Sequence, residues 1–161
     1  MMRRAIRHGL ELSLALGMVL VLAAPVAAAK PDRSFAEAGD IVVSGYCDFD
    51  VIEHPLSNNE YFTTFFDQDG NVTRSHVAGH LVLELINVES GHSIVVNASG
   101  PGRFVDDADG TTVLTGGNWV LNFAGRFFML NGRGVFRVDA NGETIVAIRG
   151  HVTDLCPPLA D

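Results

Sequence analysis

The feature that most constrains this chain is its punctuation. From residue 40 onward, turn signals recur at Ser57-Asn58-Asn59, Asp69-Gly70, Ser90-Gly91, Gly100-Pro101-Gly102, Asp109-Gly110, Gly116-Gly117, Asn131-Gly132 and Asn141-Gly142. Between them lie runs rich in Val, Ile, Thr and Phe, including residues 41–47, 61–66, 72–88, 93–97, 118–124 and 126–130. Such spacing favours strands joined by tight turns. The runs also alternate where alternation can be tested. Leu81, Leu83 and Leu85 share one face, opposite His80, Val82, Glu84 and Ile86. Trp119, Leu121 and Phe123 stand opposite Asn118, Val120 and Asn122. Period two is the signature of a strand, and no helical stripe competes with it.

Three turns share a pattern: Asp67-Gln68-Asp69-Gly70, Asp107-Ala108-Asp109-Gly110 and Asp139-Ala140-Asn141-Gly142. None has the sixth-position glycine and twelfth-position glutamate of a helix-loop-helix calcium site. They read as hairpin turns, where Asp-Gly and Asn-Gly supply positive φ. The expected fold is all-β: an antiparallel up-and-down meander of about eight strands closing into a small barrel over residues 40–157. A two-sheet β-sandwich is the alternative. Residues 30–39 read as a flexible leader and 158–161 as a tail.

The N-terminus reads as a targeting segment. Arg3, Arg4 and Arg7 precede an apolar stretch over residues 12–26, followed by Ala27-Ala28-Ala29. A basic start, an apolar core and small residues at the end predict a secretory signal peptide cleaved near Ala29. The apolar stretch is shorter than the roughly 20 residues a bilayer span needs. No later stretch approaches that length, so no transmembrane segment is expected in the mature chain. Export places Cys47 and Cys156, the two cysteines, in an oxidising setting where pairing is the default. Closing a loop of about 110 residues restricts the unfolded chain by about 4–5 kcal/mol in the chain-entropy model. A reactive thiol or metal ligand is the other reading, but there is no CxxC and no cysteine beside a histidine.

Composition excludes whole classes of function. Of the 161 residues 47% are hydrophobic and 19% charged, which is too apolar for a disordered chain. A formal net charge of −8, with Lys30 the only lysine, argues against nucleic acid as a partner. No phosphate-cradling glycine loop and no GxSxG elbow occur. Gly117-Asn118-Trp119 matches the lipocalin GxW triplet but falls mid-domain. Asn71-Val72-Thr73 and Asn97-Ala98-Ser99 match the N-glycosylation sequon, which matters only in a eukaryotic secretory pathway. Carboxylate pairs such as Asp48/Asp50 and Asp106/Asp107 read as solvated, and Asp48, Asp50 and Glu53 beside Cys47 as a rim.

The binding candidates are His76, His80, Glu84, Trp119 and Phe123. On one continuous strand His76, His80 and Glu84 would share a face, with neighbours about 13 Å apart. That spacing is too wide for one zinc ion. If the leucine face is the core, these polar residues face solvent; in a wide barrel they would line a wet pocket. No catalytic residue, metal or cofactor is assigned.

Several of these pieces resemble a group of exported actinobacterial β-proteins of similar length. The matching residues are Cys47, Ser90-Gly91-His92-Ser93-Ile94, Ser99-Gly100-Pro101, Asp109-Gly110, Asn131-Gly132-Arg133 and the closing Gly150-His151-Val152-Thr153-Asp154-Leu155-Cys156. The resemblance covers about residues 45–157. His92, Asn131 and His151 depart from it, standing where the group has a basic residue, serine and arginine. It implies export, the bridge and a single β-domain, and no activity. The functional expectation is a secreted β-barrel that binds a small, largely apolar ligand. The alternatives are a structural or cell-surface interaction protein without a small ligand, and a barrel-cavity cyclase or isomerase using His80 or Glu84.

Overall fold

The computed structural model describes residues 30–160, so the expected signal peptide lies outside the described residues. Eleven strands and one short helix follow in order: β1 (Asp32–Phe35), β2 (Ile41–Val43), β3 (Val51–Asn58), β4 (Tyr61–Phe66), β5 (Val72–Ala78), β6 (Leu81–Asn87), β7 (Ser93–Asn97), β8 (Gly102–Asp107), β9 (Gly110–Phe123), β10 (Arg126–Asp139), β11 (Gly142–Asp154) and α1 (Cys156–Ala160). β1 falls within the segment read as a leader, where it pairs antiparallel with β4. α1 takes in most of the segment read as a tail. Among the described residues no helix is long and apolar enough to cross a membrane.

The turn reading holds in detail. Asp67, Asp107 and Asp139 each accept, through a side-chain oxygen, the backbone N–H two residues on. This is the local bond that makes aspartate a turn residue.

All pairing is antiparallel. The larger sheet runs β1-β4-β5-β8-β9-β10-β11 and the smaller runs β2-β3-β6-β7. The chain passes between sheets four times: at residues 36–40, and then at Asn59-Glu60, Gly79-His80 and Ala98 to Pro101. The run 72–88 is therefore two strands in different sheets, not one. The leucine face of β6 is the core face: Leu85 is fully buried and packs with Val43, Val51, Leu83 and Phe127.

Strands β9, β10 and β11 stay in one sheet but fold back on themselves. Register places Gly132 opposite both Gly117 and Gly150, so three glycines form a row across the strands. All three have positive φ, which an L-residue adopts only with strain. The sheet creases along this row. Phe136 lies opposite Val113, and a flat strand would put Phe123 about 33 Å from Val113. Instead the Phe123 and Phe136 rings meet edge to face with centroids 5.2 Å apart. The Ala124 N–H, in the turn at one end, donates to Glu143 Oε2 at the other at 2.6 Å.

The folded-back halves are apolar on both faces. Phe128 and Leu130 join Phe123 and Phe136 in one cluster. Phe127, Met129 and Val120 pack on the opposite side against the smaller sheet. The run Phe127-Phe128-Met129-Leu130 breaks the alternation because both of its faces are covered.

The expected closed barrel is not formed. β1 and β11 end the larger sheet and β2 and β7 the smaller, with no ladder joining those edges among the described residues. The layout is the two-sheet, sandwich-like alternative. A barrel wall turns one face to solvent, and the non-alternating Phe127–Leu130 run needs cover on two. Curvature goes into the crease instead of into closure.

Cys47 and Cys156 form the expected disulfide, with Cα atoms 5.5 Å apart. It does not set the first and last strands side by side: β1 and β11 are the opposite edges of the larger sheet. It ties the turn after β2 to α1, whose Leu159 is fully buried and whose Leu159 carbonyl accepts from Asn87 Nδ2 at 3.0 Å.

The crease makes a prediction. A Cβ on Gly132 would overlap the carbonyl oxygen of Arg149 and stand 2.8 Å from Gly150 Cα. Both are backbone atoms and cannot rotate away. Gly132→Ala should cost about 1–3 kcal/mol, read as a lower urea midpoint at an unchanged denaturant slope. An unchanged midpoint would mean that the crease tolerates a side chain.

Candidate functional site

The five residues singled out from sequence do not converge. His76 lies on β5, on the outer face of the larger sheet, 5.0 Å from the Phe65 ring. His80 sits in the Gly79-His80 crossing, with Nδ1 2.9 Å from Ser99 Oγ. Glu84, on β6, accepts from Ser93 Oγ at 2.7 Å on the outer face of the smaller sheet. Phe123 is in the folded-back core. Only Trp119 borders a cavity.

That cavity lies where the chain crosses between sheets. It holds about 120 Å³ and is lined by Glu53, Glu60, Leu81, Leu83, Ala98, Trp119 and Val120. Glu53 comes from β3, opposite Leu85 on β6. It shares the inward face with Val51, which is 1% exposed, so strand parity carries an acid into the interior. Glu60 immediately precedes β4, two residues before the inward Phe62. Burial holds both carboxyls above the ordinary carboxylate range, and positive charge on His80 pulls Glu60 partly back.

Trp119 forms the opposite wall. Its indole packs against Gly100 and Gly102, where an added Cβ would overlap ring atoms at either position. Its Nε1 is buried without a hydrogen-bond partner. A side chain at Gly100 or Gly102 would evict the ring, so these glycines are required for close approach.

Beyond Trp119 the inner face of the larger sheet is only partly covered, and Phe62 and Phe104 are half-buried there. Phe104 stands 6.5 Å from Trp119 and 6.1 Å from Phe62, centroid to centroid. These aromatics floor an open groove of about 490 Å³ bordered by Ser34, Thr64, Ser75, Asp106 and Thr111. The groove and the cavity share no lining residue; Phe104 of the one and Trp119 of the other stand between them, 6.5 Å apart. Aromatic floor, hydroxyl margin and an acidic inner end make an amphipathic cleft.

The Ser99–His80 contact is not an activated nucleophile. Ser99 Oγ also accepts the Leu81 N–H at 2.9 Å and lies 3.2 Å from the Leu81 carbonyl. Its bonds fasten two strand crossings together. Among the described residues no group of three His, Cys, Asp or Glu side chains is placed to hold a metal ion.

Phe62, Phe104 and Glu60 were not singled out from sequence, and Glu53 was read as part of a rim. An acid two residues from Val51, on the apolar face of a strand, was the available signal for Glu53. Nothing local marks the aromatics, because the cleft joins β3, β4, β8 and β9.

The fold and cleft together define a disulfide-bonded, antiparallel two-sheet β-protein with a concave amphipathic groove. No family model, curated protein or solved structure matches the chain.

Proposed function

We propose that this chain is an exported β-protein that binds a small, largely apolar ligand in the cleft between Phe62, Phe104 and Trp119. The observation that supports it is the half-buried aromatic floor of an open groove, with a cavity lined by two carboxylates on the other side of the Phe104–Trp119 pair. A fold that only needed a core would bury that floor fully. The groove's volume lies within the range of small-ligand sites.

Trp119 is the sole tryptophan, so its fluorescence reports the cleft alone. Titration with the apolar dye N-phenylnaphthylamine should give energy transfer from Trp119 and saturate. Phe104→Ala should weaken the dye by about tenfold or more, the effect of losing a buried aromatic contact. A titration with no transfer, or with equal affinity in the variant, would remove the cleft from consideration.

The carboxylates carry a second prediction, in stability. A carboxyl raised by burial fits the folded state best when protonated. Its contribution is most favourable below the unfolded-chain value of about 4.3 and is lost as pH rises through the higher folded value. Glu53→Gln should therefore raise the melting temperature at about pH 7 and lose that advantage near pH 4. Stabilisation by removing a native side chain is expected where that residue serves a ligand. A variant less stable at neutral pH would make Glu53 a structural acid.

A further inference from the structure

The opposite face of the same sheet carries a different chemistry. Alternation sends Arg33 of β1, Arg74 and His76 of β5 and Arg103 of β8 to the outer side. The register is a continuous row, with Arg33 opposite Thr63, Thr63 opposite His76, and His76 opposite Arg103. Farther along this face Arg133 and Arg149 lie opposite each other. Yet among the described residues only Arg137, of the arginines on this face, has a carboxylate within ion-pair distance, and it takes two, Asp107 and Asp139. The other five have none.

This concentration occurs in a chain of net charge −8. The positive groups are gathered on one sheet face, and the acids lie mostly elsewhere. Burial and the two flanking guanidinium groups, Arg74 and Arg103, push the His76 pKa down, as expected where positive charge is not neutralised. Aromatic rings hold the arginines in place. Arg74 lies 4.0 Å over the Phe65 ring and Arg33 4.3 Å over Tyr61. Tyr61 in turn meets Phe35 edge to face, and Phe35 is 47% exposed.

We propose that the outer face of β1, β4, β5 and β8 docks on an anionic lipid bilayer. Charge complementarity supplies the attraction. The exposed Phe35 and Tyr61 beside the arginines select a bilayer over a soluble polyanion, because aromatic rings settle at the headgroup boundary. The acidic remainder of the protein is repelled by the same surface, so the charge asymmetry orients the molecule with this face down. The cleft opens on the other side of the sheet and stays free of the bilayer.

The test is co-sedimentation of the purified full chain with phosphatidylcholine vesicles, with and without phosphatidylglycerol. The neutral vesicles account for the apolar stretch at residues 12–26, and every chain tested, native included, carries Arg3→Gln/Arg4→Gln/Arg7→Gln so that the basic start contributes nothing to the phosphatidylglycerol increase. Phosphatidylglycerol should increase binding, and added salt should remove the increase. Each arginine at such a surface is worth about fivefold in partitioning. Arg103→Gln alone should lose about fivefold of the increase and the Arg33→Gln/Arg74→Gln/Arg103→Gln variant about a hundredfold. Arg126→Gln, off this face, should lose none. Near-ultraviolet circular dichroism of Trp119 checks that each variant is folded, and the exposed Arg103 variant serves if the triple one is not. No gain from phosphatidylglycerol overturns the proposal. So does a gain that survives in the folded arginine variants, or binding to soluble polyphosphate without binding to vesicles.

Discussion

Replacing Cys47 and Cys156 together with serine should lower the unfolding free energy by about 2–5 kcal/mol. The cysteines are 109 residues apart in sequence, so the bridge closes almost the whole described chain into a loop. Opening it returns that freedom to the unfolded state. The folded state loses something as well. The turn after β2 and helix α1 belong to one apolar cluster, in which Cys47, Tyr46 and Phe49 pack with Leu155 and Leu159. Without the bridge a five-residue helix is held there by two leucines and a few hydrogen bonds. The variant should therefore show a lower denaturant midpoint and earlier exchange of the Asn87 side-chain contact to Leu159 than of the β9–β10 ladder. Reductant should act on the native protein in the same direction. A midpoint unchanged in the double variant would mean that the two sheets hold each other without the clamp.

The strands were legible in the sequence because their causes are local. Period-two alternation in residues 81–87 and the aspartate turns at Asp67, Asp107 and Asp139 depend on neighbours within four positions. The disulfide was legible for another reason: with two cysteines there is one possible intramolecular pair. Closure was not legible. The glycine row becomes a crease only when register sets Gly117, Gly132 and Gly150 side by side, and register is a property of pairing, not of any one segment. The crossing at Gly79-His80 hid in the same way. An apparently continuous run from 72 to 88 put His76, His80 and Glu84 on one face, whereas the chain changes sheets between His76 and Glu84 and leaves them on separate surfaces.

The site shows the same division between local and non-local causes. Trp119 could be singled out because it is the one tryptophan on a strand with clear alternation. Phe62 and Phe104 read as ordinary strand aromatics, one on each side of two further turns. Their role comes from β4, β5 and β8 lying in order, which places both on the partly covered inner face, with Phe104 next to Trp119.

Phe136→Ala should be the most damaging single truncation in the folded-back half, at about 3–5 kcal/mol. Phe136 is 1% exposed and stands beyond the Gly132 crease on one side of the cluster, with Phe123 and Phe128 on the other at 5.2 and 6.5 Å. Removing its ring opens a cavity between two halves of the same three strands. It also weakens the contact that keeps them folded together. A flat-sheet phenylalanine would cost its own burial and little else. Phe136 should cost that burial and also loosen Trp119, because the arm that carries Trp119 over Gly100 and Gly102 is the arm that Phe136 supports. The expected signature is joint: a lower urea midpoint and a red-shifted, more quenchable Trp119 emission in the folded variant. Phe65→Ala, on the outer face beneath Arg74, should lower stability less and leave the tryptophan signal unchanged. If Phe136→Ala destabilised the protein while Trp119 kept its native spectrum, the two halves would be independent. The crease would then be a property of the glycines alone, and packing across it would not be needed to keep the sheet folded.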